Sequence, residues 1–214
     1  MKAIILGASG LVGGSLLKLL LDDPRFSEIL CFNRRPLGID APKLREVVLD
    51  FGRMAIYAPD FAADVLFCCL GSTIKKAGGE AAFRRADHDY PLEAARLFQA
   101  QNGEHFLLVS GLGANAASPF FYNRVKGEAE NDLRALGLRR LSILRPSLLL
   151  GPRDESRPGE FLAQKVMPLF NFALPGGLRK YRAIAAKDVA RAMVELVFAP
   201  ETVVPLEYIS EPQK

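Results

Sequence analysis

The sequence predicts an α/β fold on a doubly wound, mostly parallel sheet, and three observations predict it. Short, nearly continuous apolar runs alternate with longer helical patterns through residues 1–145. Such runs suit strands buried on both faces. The first run leads directly into a turn with glycines at 7, 10 and 13 and then into a helical stretch, the order of a parallel βαβ unit. After Arg145 the texture changes: Pro146, Pro152, Pro158, Pro168 and Pro175 punctuate the chain. That predicts a core over 1–145 and, over 146–214, a small substrate or lid region packed on the strand ends, not an independent domain.

The strands are expected at 3–6 (AIIL), 28–32 (EILCF), 45–49 (REVVL), 64–70 (DVLFCCL), 105–110 (HFLLVS) and 140–144 (RLSIL). Helical patterns fall between them at about 11–22, 53–61, 86–101 and 119–137. In the tail the expectation is limited to short helices at 159–167 and 187–198 and a strand at 204–209. Asp188 is expected to cap the second of these helices, with Val189, Met193 and Val194 facing inward. In a sheet of this kind ligands gather at the carboxyl ends of the strands.

Composition narrows the function classes. The 214 residues carry 28 Lys plus Arg against 24 Asp plus Glu, a net charge of +4. The basic residues lie in scattered pairs with no aromatic-interleaved stripe, which excludes nucleic acid and leaves anionic small molecules. Cys31, Cys68 and Cys69 lie in apolar runs, and His88 and His105 are far apart, so no metal-ligand spacing exists. Buried thiols in a reducing compartment are expected. No run reaches the roughly 18 apolar residues of a membrane span. The glycine turn comes too early for a signal peptide, so a soluble cytoplasmic protein, monomer or homodimer, is the expectation.

The turn 7-GASGLVG-13 carries the first functional inference. Gly7 permits the tight bend, Gly10 lets backbone approach a pyrophosphate, and Gly13 lets helix pack on strand. Backbone N–H groups across Ser9, Gly10, Leu11, Val12 and Gly13, with the positive helix end, would hold the phosphates. The second strand then ends in 32-FNRRP-36, with two arginines where an NAD-selecting chain tends to place an acid. NADP is therefore the expected cofactor, Arg34 on the 2′-phosphate and Arg35 over the adenine. Asp50 closes the third strand, either to accept from the adenine amino group or to cap the helix after it. Leu70, Gly71, Ser72 and Thr73 form a polar turn beside the cofactor at the end of the fourth strand.

The catalytic candidates follow the fifth strand. Ser110 closes it, and Tyr122 and Lys126 come four residues apart on the next helix. Any two residues at that spacing share a helix face, so the pair by itself is ambiguous. Beside a bound nicotinamide the three have complementary uses. A tyrosine can give a proton if a neighbouring cation acidifies it, Lys126 supplies the cation, and Ser110 can bond the carbonyl oxygen. His88, in 87-DHDY-90, is read as helix-start polarity, and His105 lies at the opposite end of its strand.

The combination of 7-GASGLVG-13, Ser110 and 122-YNRVK-126 resembles the short-chain dehydrogenase/reductase superfamily in its extended and atypical branches. More narrowly, 69-CLGSTIKKAGG-79, 87-DHDY-90, 122-YNRVKGEAE-130, 145-RPSLLLG-151 and 154-DESRPGEF-161 are similar to the Tat-interacting oxidoreductase family, over nearly the whole chain. The resemblance implies a Rossmann fold that binds NADPH, with Ser110, Tyr122 and Lys126 in catalytic positions, and a possible protein partner. Pro146 after the sixth strand is similar to related sugar-nucleotide enzymes and is placed at the cofactor. Two departures stand out: Gly111 occupies a position where the family often has a second serine, and the superfamily's active-site asparagine has no assigned counterpart, since Asn123 would point elsewhere on its helix.

An NADPH-dependent reductase of a carbonyl substrate is thus the leading expectation. A nucleotide-sugar epimerase or dehydratase would use the same tyrosine and lysine with a larger substrate lobe, and a non-catalytic NADPH sensor would dock a protein. Arg153 is available for an anionic substrate, and Arg157 is read as a solvated loop charge. The phenylalanines at 120–121 and 170–172 are read mainly as packing.

Overall fold

The computed structural model describes residues 1–151 and 183–199. Six parallel strands form the sheet: β1 (Lys2–Leu6), β2 (Glu28–Asn33), β3 (Leu44–Val48), β4 (Val65–Cys68), β5 (His105–Val109) and β6 (Arg140–Leu144). Their order is β3-β2-β1-β4-β5-β6, so the strand order reverses between β1 and β4. Leu6 is level with Phe32 of β2 and with Cys68 of β4, which aligns three carboxyl ends at that reversal.

Alternation along the strands feeds two cores. Ala3, Ile5, Cys31, Val65 and Phe67 face α1 (Leu11–Asp22) and the C-terminal helix described below, whereas Ile4, Leu6, Leu30, Leu66 and Phe106 meet the elements of the other face. Both faces are covered, as the continuous apolar runs require. A fully buried leucine such as Leu16 is worth about 2–5 kcal/mol against alanine.

The segment expected as a helix from 53 is a 3-10 stretch, Phe51–Phe61, kinked at Arg53 and Tyr57. After β4 come a short α2 (Ile74–Ala77) and α3 (Glu80–Arg84), separated by Gly78 and Gly79 at φ +91° and +129°. The single helix expected over 86–101 is divided: Arg85–Asp89 form a π turn, closed by the Tyr90 N–H on the Arg85 carbonyl, before α4 (Tyr90–Ala100). Pro91 is the cause. It has no N–H for the carbonyl four residues back, that of Asp87, and its ring crowds that group, so the helix widens.

Helix α5 (Phe121–Ala135) joins β5 to β6 as expected. A small parallel pair, β7 (Leu149–Leu150) with β8 (Ile184–Ala185), was not foreseen. It leads into α6 (Ala186–Phe198), whose Val189, Ala190, Met193 and Val197 pack with α1 as a layer of the core. Arg140 closes α6: its guanidinium donates to the carbonyls of Leu196 (2.6 Å), Ala199 (2.8 Å) and Val197 (3.2 Å). Asp188 lies in the first turn of α6 and is not its cap, which is Ala185. The helix expected at 159–167, the strand at 204–209, Arg153, Arg157 and residues 170–172 lie outside the described residues.

Candidate active site

The glycine turn is built as its spacing requires. Gly7 has φ +85°, and a Cβ there would stand 2.7 Å from the Cys69 carbonyl oxygen. A Cβ at Gly13 would stand 2.2 Å from the Gly7 oxygen, so helix and turn touch backbone to backbone. Gly10 is the N-cap of α1 and supplies no side-chain cap, and the first turn carries no acid. The N–H groups that open the helix, from Leu11, Val12 and Gly13, therefore remain for an anion, which the helix dipole favours. Ser9 and Gly10 are exposed at its mouth. This cradle fits a dinucleotide pyrophosphate.

At the end of β2 both Arg34 and Arg35 are exposed. Glu46 on β3 turns its carboxylate to the Leu37 N–H (3.0 Å) and the Asn33 amide (3.4 Å). Asn33 is buried, and its Oδ1 has no partner among the described residues, an acceptor that the sequence did not single out. Of the two options for Asp50, the cap is the one seen: Oδ1 accepts from the Gly52 N–H at 2.9 Å.

From the glycine turn the backbone after β4 leads toward Asp87 and Lys126. Gly7 abuts Cys69 and Leu70. A Cβ on Gly71 would lie 3.6 Å from Asp87 Oδ1 and 3.9 Å from Lys126 Nζ. Lys126 Nζ is 2.8 Å from Asp87 Oδ1 and 3.5 Å from the Val109 carbonyl. The second Asp87 oxygen accepts from the Ser72 N–H at 2.9 Å. Burial works against the Lys126 charge, but attraction to Asp87 and then to Tyr122 outweighs it and holds the ammonium above the ordinary lysine range. Burial also lifts the Asp87 carboxyl, with Lys126 and the Ser72 N–H pulling the other way. Burial pushes the Cys68 thiol up to about 12, which leaves it neutral beside them.

Tyr122 lies one helical turn from Lys126 and packs against Phe83, the rings tilted by 35° with centroids 5.2 Å apart. A Cβ on Gly111 would be 3.2 Å from its phenol oxygen, so Gly111 is the residue that faces it. Ser110 stands at the end of β5, but its hydroxyl donates to Glu130 Oε1 at 2.5 Å. Glu130 is wholly buried and also holds Arg145 (Nη2 to Oε2, 2.5 Å) and Arg134 (3.2 Å). The geometry thus joins Tyr122, Lys126, Gly71 and Ser72, and turns the Ser110 hydroxyl toward Glu130. Pro146 is buried, its carbonyl accepting from the Leu112 N–H at 2.9 Å, which ties the loops after β5 and β6 together. Asn123 accepts the Asn115 N–H through its backbone, and a Cβ on Gly113 would lie 3.2 Å from its side-chain nitrogen.

Asp87 is the residue that sequence reasoning missed. Its signal was present: an acid four residues before Pro91, inside an amphipathic run, where the π turn brings both Asp87 and His88 inward. His88 bridges Asp89 (2.7 Å) and Asp132 (2.9 Å), pinning the π turn to α5. His105 is buried at the far end of β5, with Nε2 2.8 Å from Ser142 Oγ. Burial and then Arg140 push it down to about 3.

The chain is 42% identical over 203 residues to Protein HTATIP2 of Rattus norvegicus, across 93% of this chain and 82% of that protein. It is 32% identical over 197 residues to the mitochondrial protein fmp52 of Aspergillus clavatus (89% and 84%) and 32% identical over 214 residues to the mitochondrial FMP52 of Debaryomyces hansenii (94% and 90%). No family model matches the chain. Among solved structures it is similar to a short-chain dehydrogenase/reductase superfamily protein of Agrobacterium tumefaciens with bound NAD (TM-score 0.73, 14% identity, 94% of this chain and 75% of that one). It is also similar to WbmH of Bordetella bronchiseptica in complex with NAD+ (TM-score 0.70, 19% identity, 92% and 72%). These likenesses bear out the fold. The expected cytoplasmic setting is corrected by the fungal relatives, which are mitochondrial by name.

Proposed function

Because the chain belongs to the Tat-interacting protein family, we propose that it is an NADPH-dependent oxidoreductase that reduces a carbonyl compound, with Tyr122 as proton donor. The observation that carries this is the buried Lys126 one turn from a Tyr122 whose phenol oxygen faces Gly111, on the loop after β5.

The α1 N-terminus and the Gly7–Gly13 turn would hold the pyrophosphate, and the exposed Arg34 the 2′-phosphate, with Arg35 over the adenine. Bound NADPH supplies the hydride. Tyr122 hydrogen-bonds the carbonyl oxygen and gives its proton as charge develops there. Lys126 would stabilise the phenolate left behind and would help to hold the nicotinamide ribose. Gly71 would leave room beside Asp87 and Lys126 for the cofactor. Ser110 would act on the substrate only by releasing Glu130.

Purified protein supplied with NADPH and a panel of aldehydes, ketones and quinones should consume NADPH, followed by its absorbance. Tyr122→Phe should lower that rate at least about a hundredfold, the scale of lost general-acid catalysis, and an unchanged rate would sink the mechanism. Arg34→Ala should weaken NADPH binding far more than NADH binding.

One observation favours a second reading, an NADPH-binding protein without turnover that docks a partner. The Ser110 hydroxyl is held by Glu130 and Gly111 supplies none, so neither of these two positions commits a hydroxyl to the Tyr122 oxygen. Tight NADPH binding with no consumption across the panel decides for it.

A further inference from the structure

Residues 34–40 carry the two exposed arginines after β2 and are held by very little. Among the described residues, no backbone N–H of this segment finds a carbonyl acceptor. The Leu37 N–H is held in another way: it donates to the Glu46 carboxylate on β3, 3.0 Å from Oε2 and 3.2 Å from Oε1. The same carboxylate receives the Asn33 amide at 3.4 Å. Glu46 therefore ties the last residue of β2 to the middle of the turn that follows it.

Glu46 pairs in register with Cys31, and Asn33 lies two residues beyond Cys31, so the three side chains share one face of the sheet. That face is covered by α1, whose N-terminus carries the phosphate cradle. An apolar side chain is what a half-buried position beside that core would ordinarily hold. The carboxylate found there is matched by two donors, and they bracket Arg34 and Arg35 in the chain.

We propose that Glu46 is a positioning residue that sets the preference for NADPH over NADH, by fixing the backbone at Leu37 and with it the reach of Arg34 toward the 2′-phosphate. This role rests on the reading of Arg34 as the residue on that phosphate. A turn ordered before binding need not be ordered by the cofactor, and only the phosphorylated cofactor uses that arginine. Charge alone acts the other way. An anion near a phosphate disfavours it, so deleting a carboxylate for its charge would strengthen NADPH binding. Positioning and repulsion therefore differ in sign.

The test measures NADPH and NADH affinity of the full chain by calorimetry. Glu46→Ala should lower the ratio of NADPH to NADH affinity about tenfold, the scale of leaving a turn and its side chain to be ordered on binding. Glu46→Gln, which loses the charge and keeps an acceptor for the Leu37 N–H, should hold the ratio within about threefold of the native one. In an Arg34→Ala background Glu46→Ala should change the ratio by less than about twofold, since the two residues act as a unit. A ratio unchanged or raised in Glu46→Ala, equal losses in the alanine and glutamine variants, or a full loss in the Arg34→Ala background overturns the proposal. A merely structural role would weaken both cofactors together and leave the ratio where it was. If Glu46→Ala does not fold, hydrogen exchange on the native protein decides: the Leu37 amide should exchange at least about tenfold more slowly than those of Arg34, Arg35 and Gly38, and equal rates overturn the proposal. A native protein that binds the two cofactors alike overturns the Arg34 reading and this proposal with it, before any variant is made. A native preference that Glu46→Ala leaves intact overturns this proposal alone.

Discussion

Ser110 Oγ donates to Glu130 Oε1 at 2.5 Å, where the carboxylate has no exposed surface and Arg145 closes its other side. Removing the hydroxyl leaves a buried anion short of a donor. Ser110→Ala should therefore lose about 1.5–3 kcal/mol of stability, the usual worth of a hydrogen bond to a charged group. Urea denaturation measures it, and an unchanged midpoint would mean that Arg145 and Arg134 satisfy Glu130 alone.

The contact between Gly13 and Gly7 gives a sharper outcome. A methyl group at 13 would lie 2.2 Å from the Gly7 oxygen, a distance no real carbon tolerates. In Gly13→Ala the helix must back away from the turn, and the N–H groups of the cradle move with it. NADPH affinity, measured by calorimetry, should fall at least about tenfold, and an unchanged affinity would show that the cradle does not depend on this contact.

Arg140 satisfies three carbonyls at the end of α6 and brings a positive charge to the negative end of that helix. Arg140→Met keeps the aliphatic packing and removes both effects. A loss of about 1–3 kcal/mol is expected, with hydrogen exchange rising first in the last turn of α6.

His105 sets a dependence on acid. Its folded value near 3 lies below the unfolded value near 6.5, so below pH 6.5 the unfolded chain binds a proton that the folded chain refuses. The stability this neutral histidine allows is fully present above pH 6.5 and falls as pH drops toward 3, by up to about 1.4 kcal/mol per pH unit. Denaturation midpoints taken at about pH 7.5 and pH 5 should differ in the native protein, and His105→Gln should flatten the difference.

The fold was legible because its signals are local. Val65 to Cys68 and Phe106 to Val109 are apolar without interruption, and only a strand covered on both faces asks for that. The glycine turn was legible for the same reason, since its spacing encodes backbone contacts between near neighbours. The direction of the Ser110 hydroxyl was not, because it is decided by Glu130, twenty residues later on a helix whose rotation no period fixes to the degree required. Asp87 escaped because its burial depends on a widened turn, and the proline responsible sits four residues downstream. The pairing of β7 with β8 joins residues separated by the stretch outside the described residues, a contact that no local pattern carries.

The π turn also makes chain length around residues 85–89 a constraint in its own right. A deletion there that the wide turn did not absorb would turn everything beyond it by about 100°. Leu92, Ala95 and Phe98 would then swing out of the second core while Asp87 swung away from Lys126. Insertions and deletions at this place are therefore penalised twice, once through packing and once through the proton-handling pair, and relatives that keep both should keep the count of residues between Gly79 and Pro91.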